Sequence, residues 1–105
     1  MSAQDTIREQ VTTHDVVLYM KGSPDFPMCG FSSAAIQMLK LCGIEHFLSV
    51  NVLEDAVIRQ GIKDFSNWPT IPQLYVRGEF VGGSDIMREM FDSGELQRLL
   101  GTQAA

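Results

Sequence analysis

The sequence predicts an α/β domain with both parallel and antiparallel strand pairing, and two stretches carry most of that prediction. "VVLYM" (16–20) and "HFLSVNV" (46–52) are β-rich apolar runs separated by a helical pattern, a strand-helix-strand crossover that favours parallel pairing. "PQLYVRGEFVGG" (72–83) holds two short strands around Arg77-Gly78, a tight-turn pair, and therefore predicts an antiparallel hairpin. Helical spacing fills the remaining intervals, so the predicted order is αβαβαββαα.

In "SAQDTIREQVTTHD", Ile7 and Val11 stand four apart and Ser2 with Asp5 fits a capping box, which predicts the first helix. "VVLYM" reads as a buried strand. "KGSPDFP" (21–27) is rich in breakers and poor in ladder donors, so it is a loop that delivers Cys29 to the next element. From Cys29 to Cys42, Ala35, Ile36, Met38, Leu39 and Cys42 recur at helical spacing, and Gly43 is the stop. Residues 54–65 carry Ala56, Val57, Ile58, Ile62 and Phe65 and read as helix despite Gly61. After the hairpin, Ser84 is expected to cap a helix bearing Ile86, Met87, Met90 and Phe91. Asp92 and Glu95 suggest a capping box before "LQRLL", and the "GTQAA" tail is the one stretch that reads as linker.

A chain of 105 residues is expected to form one domain, 1–105, with a single modest core. Apolar residues at 45% and charged residues at 20% exclude disordered and fibrous classes. A net charge of −5 argues against nucleic acid or an anionic membrane as a partner recruited by bulk charge, so any anion site must be local. "VVLYM" is too short to span a membrane and no signal-peptide pattern precedes it, which predicts a soluble, cytoplasmic protein. His14 and His46 lack metal-ligand spacing with either cysteine and read as surface residues.

Cys29 is the first candidate for chemistry. The opening turn of a helix leaves N–H groups without internal partners and carries partial positive charge, and both favour thiolate over thiol. Lys21, across the breaker-rich loop, adds a second stabilising charge. Ser32 stands where a resolving thiol would stand, and a hydroxyl cannot displace sulfur from a mixed disulfide, which disfavours dithiol reduction. Cys42 is no substitute, because thirteen residues of helix separate the two backbones by roughly 20 Å, whereas a disulfide tolerates about 7 Å at most. It reads as a core residue. A lone cysteine at a helix start is equally well a small buried hydrophobe; the surrounding motifs decide between the two.

Those motifs, "MKGSP", "CGFS", "NWPTIPQLYV" and "GEFVGGSDI", run in order from about residue 16 to 100 and closely resemble the single-domain monothiol glutaredoxins with a CGFS active site. The resemblance implies a thioredoxin-like fold with a four-stranded mixed sheet flanked by helices. It also implies glutathione bound beside Cys29, and a 2Fe-2S cluster held between two subunits by two Cys29 thiolates and two glutathione thiolates. Lys21 and Arg59 match the family's basic residues near the glycyl carboxylate of glutathione, and Lys63, one helical turn beyond Arg59, is placed to join them. Thr70, Ile71 and Pro72 match a segment with a cis proline whose backbone pairs strand-like with the tripeptide. Gly82 and Gly83 allow close approach, the following helix start with Ser84 takes the γ-glutamyl carboxylate, and Asp85 takes the ammonium. Phe31 shields the thiolate face, Gly30 leaves room for ligand, and Met28 lines the cluster side. Trp68 reads as a core or loop anchor rather than a catalytic group.

The function implied is a glutathione-dependent carrier that takes part in 2Fe-2S cluster assembly and redox homeostasis. The implied partners are a second subunit, a BolA-like protein and apo iron-sulfur acceptors. The alternative is an oxidoreductase of weak activity that deglutathionylates protein mixed disulfides with Cys29 alone, free glutathione being the resolving thiol.

Overall fold

The structure, a computed structural model, describes residues 2–104. The elements are α1 (Ala3–Thr13), β1 (Val16–Met20), α2 (Gly30–Leu41), β2 (Leu48–Asn51), α3 (Ala56–Ser66), β3 (Gln73–Val76), β4 (Glu79–Gly82), α4 (Ser84–Ser93) and α5 (Glu95–Ala104). This is the predicted order. The four strands form one mixed sheet, β2-β1-β3-β4, in which β1 runs parallel to β2 and antiparallel to β3.

Every residue of β1 is buried, because helices cover both faces of the sheet. Val16, Leu18 and Met20 point into a core shared with α2, α4 and α5, where Ala35, Leu39, Met87, Leu96 and Leu100 meet. Val17 and Tyr19 point the other way, into a core built with Ile7 and Val11 of α1 and Ile58 and Ile62 of α3. The period-2 alternation of a strand thus feeds two cores from one apolar run. By contrast, all four residues of the edge strand β2 are half-buried.

Local chemistry explains most of the boundaries. Ser2 caps α1 by accepting from Asp5 N–H at 3.1 Å, and Asp55 caps α3 by accepting from Val57 and Ile58 N–H. The Arg77-Gly78 turn has positive φ at both residues, 49° and 83°, the conformation a two-residue hairpin requires. Gly61 sits where α3 presses on α1: a Cβ there would lie 3.0 Å from the Ala3 Cβ, and the Gly61 carbonyl accepts from Gln4 Nε2 at 2.9 Å. A helix-weakening residue is therefore the one that lets these helices touch.

Three expectations need correction. Ser84 does not cap α4; β4 runs directly into the helix, so the cap falls on extended Gly83 and Ser84 is the first helical residue. Asp92 does not cap α5, because it still lies inside α4; Gly94 (φ 85°) breaks the chain, and Ser93 Oγ accepts from Glu95 N–H at 3.3 Å. The tail read as linker from Gly101 continues α5 through Ala104, since no proline stops it, and the final residue lies outside the described set.

Candidate functional site

Cys29 is the N-cap of α2, with extended backbone (φ −153°, ψ 139°) and a half-exposed thiol. The sulfur makes no side-chain capping hydrogen bond. It nonetheless feels the helix start, since electrostatics acts beyond formed bonds: the backbone N–H of Ser32 is the largest influence lowering its pKa. Partial desolvation opposes this, and the Phe31 N–H, the Lys21 charge and the Ser32 hydroxyl add to the lowering. The net shift is downward, as the sequence predicts, although the backbone donor outweighs the lysine. A Cβ on Gly30 would find no atom within 4 Å, so space is open beside the sulfur.

The loop before Cys29 is fastened to both neighbouring elements. Ser32 is fully buried, and its Oγ accepts from Lys21 N–H at 3.1 Å. The hydroxyl that stands in for a resolving thiol is thus a structural acceptor. Phe26, Met28 and Phe31 surround the cysteine with exposed apolar surface, 76%, 69% and 61% accessible.

Across from Cys29, Asn67 ends α3 in the left-handed region (φ 54°), and the chain turns through Trp68, Pro69 and Thr70 to a cis Ile71-Pro72 bond. Gln73 holds this segment from beneath. Its side chain is fully buried, and Nε2 donates to the Trp68 and Thr70 carbonyls at 3.1 Å each. Next in space comes the start of α4. β4 carries an irregularity, with Leu74 opposite Gly82 but Tyr75 opposite Phe80, so Val81 is an extra residue that bends the strand toward this end. A Cβ on Gly83 would lie 3.3 Å from the Pro72 carbonyl and 3.7 Å from Trp68 Nε1, so the helix start packs against the cis-proline segment.

These walls enclose a groove of ≈ 460 Å³, within the usual range for small-molecule sites. Cys29, Lys21 and Phe31 form one side; Lys63, Thr70, Ile71 and Pro72 the second; Gly83, Ser84 and Asp85 the third. The groove therefore brings two lysines, a helix N-terminus, a carboxylate and a cysteine thiol together. The arrangement is complementary to an extended zwitterion with a reactive centre.

Arg59 does not line the groove; it lies one helical turn before Lys63, farther from the 67–72 segment. Gly82 also stays outside, its missing side chain making room for Ile86, which a Cβ would meet at 2.6 Å. Trp68, Pro69 and Ile86 line the groove without having been expected there. Trp68 is an anchor as well, its ring 6.0 Å from that of Phe80. Gln73 and Ser32, the braces beneath, carry no motif signal that marks them as such. Cys42 is a free, half-buried thiol packed against the core, and burial raises its pKa. His14 and His46 are exposed around a separate depression. Among the described residues, no group of three or more His, Cys, Asp or Glu could hold a metal ion, and no helix is long and apolar enough to cross a membrane.

The glutaredoxin family model matches residues 16–81. The zebrafish (Danio rerio) protein named glutaredoxin-related protein 5, mitochondrial, is 53% identical over 95 residues, covering 90% of this chain and 61% of its own length. A Synechocystis protein named as an uncharacterised monothiol glutaredoxin, ycf64-like, is 56% identical over 94 residues, covering 90% of this chain and 87% of its own. In three dimensions the chain is similar to the solution structure of reduced poplar apo GrxS14, with TM-score 0.80 and 50% identity over 94% of this chain and 90% of that one.

Proposed function

The chain belongs to the monothiol glutaredoxins, and from that premise we propose that it binds glutathione in the groove beside Cys29 and carries a 2Fe-2S cluster between two subunits. The observation that carries the proposal is the half-exposed thiol of lowered pKa that shares one groove with two lysines and a helix start.

Each end of glutathione has a chemical counterpart in this groove. Lys21 and Lys63 take the glycyl carboxylate, with Arg59 adding its charge from one turn away. The backbone at Thr70 and Ile71 lies before the β3 ladder begins at Gln73, where an extended peptide can pair with it. The α4 start at Gly83 and Ser84 takes the γ-glutamyl carboxylate, and Asp85 takes the ammonium. Glutathione bound this way brings its own thiol beside Cys29.

The cluster is cargo, and iron-sulfur centres favour thiolate ligands. One subunit offers a single suitable thiolate, since Cys42 is at the far end of α2 and no other ligand group is gathered among the described residues. Two Cys29 thiolates and two glutathione thiolates complete the set, and a borrowed ligand leaves more readily than a protein-bound one when an acceptor offers its own cysteines. The exposed apolar ring of Phe26, Met28 and Phe31 suits contact with a second body, either another copy or a BolA-like protein.

Anaerobic reconstitution with iron, sulfide and glutathione tests this reading. A coloured dimer that Cys29→Ser cannot form is expected; a colourless monomer contradicts it. The lowered Cys29 pKa also suits a second reading, deglutathionylation of mixed disulfides with free glutathione as resolving thiol. Turnover of a glutathionylated peptide at rates comparable to dithiol enzymes favours it, and negligible turnover rejects it as the main role.

A further inference from the structure

The segment 21–28 is closed on itself. Met28 N–H donates to the Lys21 carbonyl at 2.9 Å, Gly22 bridges Pro27, and Ser23 and Phe26 exchange backbone hydrogen bonds. It is wrapped so tightly that a Cβ on Gly22 (φ 96°) would lie 2.5 Å from the Phe26 carbonyl oxygen and 2.6 Å from Met28 N. Its own hydrogen bonds make it one closed unit. That unit has Lys21 at one end and leads directly into Cys29 at the other.

Two side chains outside the loop fix it. Ser32 holds Lys21 N–H, and Asn51 Oδ1 accepts from Gly22 N–H at 3.0 Å. Ser32 also acts on the Cys29 sulfur itself, but Asn51 does not line the groove and is absent from the influences on that thiol. Asn51 is the last residue of β2. Its Oδ1 additionally accepts from Leu53 N–H, and its Nδ2 donates to Glu54 Oε1, both at 3.0 Å. Of these three bonds, only the one to Gly22 leaves its own segment.

We propose that Asn51 is a positioning residue: by holding Gly22 N–H it sets where the Lys21 ammonium stands relative to the Cys29 sulfur and the ligand. The inference rests on the reading of Lys21 as a groove cation. A loop released from β2 carries the ammonium away, which weakens capture of a carboxylate in the groove.

The test is glutathione binding by calorimetry. Asn51→Ala is expected to weaken it about threefold. The charge-neutral exchange Asn51→Asp with Glu54→Gln keeps the acceptor for Gly22 and reverses the polarity of the 51–54 pair; it should restore the affinity to within about twofold. An Asn51→Ala protein that folds with an unaltered affinity overturns the inference, as does an exchange variant that behaves like Asn51→Ala. Amide exchange in the unmodified protein is a reading that does not depend on any variant folding: Gly22 N–H should be protected comparably to Val52 N–H, and exchange at a free-loop rate overturns the tether. Lys21→Gln separates the two levels. Its having no effect overturns the ligand reading and this inference with it, whereas an effect of Lys21→Gln without one of Asn51→Ala overturns this inference alone.

Discussion

Cys29 differs from Cys42 through position rather than chemistry. One thiol stands at the positive end of a helix beside a lysine, and its pKa is lowered; the other is packed against the core, and burial raises its pKa. Alkylation should therefore divide the pair, with the Cys29 midpoint on the low side of an ordinary thiol and Cys42 on the high side. Lys21→Gln should move the Cys29 midpoint upward and slow its reaction at neutral pH about two- to threefold; an unmoved midpoint would leave the lysine without a role there. The same shift fixes the sign of any effect on folding. Because ionisation is easier in the folded chain, the ionised sulfur favours the native state above its unfolded pKa, and that contribution fades as pH falls through the folded value. At this scale the sequence was most readable where a motif names a chemical group: Cys29, Lys21, Lys63 and Asp85 all reach one groove. It was least readable where a residue works through its neighbours. Ser32 and Asn51 have no periodic or compositional signature, because their role depends on which backbone N–H the fold brings to them.

Among the elements, β1 was read to the residue and the hairpin by its turn, since a continuous apolar run and a turn pair specify them locally. Two of the three misread boundaries, those at the starts of α4 and α5, are places where two elements abut. Gly83 takes the N-cap of α4 because β4 ends one residue before it, and α4 runs on to Ser93 with only Gly94 before α5, spacings that propensity alone does not contain. Gly61 lowers local helix propensity yet sits at the contact between α1 and α3, so tertiary packing overrides the local preference. The 21–28 segment looked like a generic loop and is instead a tightly closed one. Gly22→Ala combines an unfavourable φ of 96° with backbone atoms inside 2.7 Å and should cost about 2 kcal/mol or more. A thermal melt should register this as a fall of about 10 °C; an unchanged midpoint would mean that the loop is looser than its geometry indicates.

The whole molecule has the thioredoxin-like architecture of the glutaredoxins, a mixed sheet with a core on each face. Leu18 is fully buried at the centre of β1, and Leu18→Ala should cost about 3 kcal/mol and lower the melting midpoint by about 10–20 °C. A loss under about 1 kcal/mol, where an ordinary large-to-small core substitution costs about 2–5 kcal/mol, would contradict that packing. The groove lies where four parts of this scaffold converge: the α2 start, the α3 end, the β3 approach and the α4 start. None of them alone holds both charges and the sulfur. The scaffold and the thiol's surroundings are properties of one chain, whereas the proposed cluster site belongs to two chains and their borrowed ligands. The most direct measurement is native mass spectrometry of the anaerobically reconstituted protein. The expected mass is that of two chains with one 2Fe-2S cluster and two glutathiones, whereas a cluster on a single chain, or on two chains without glutathione, would contradict the account.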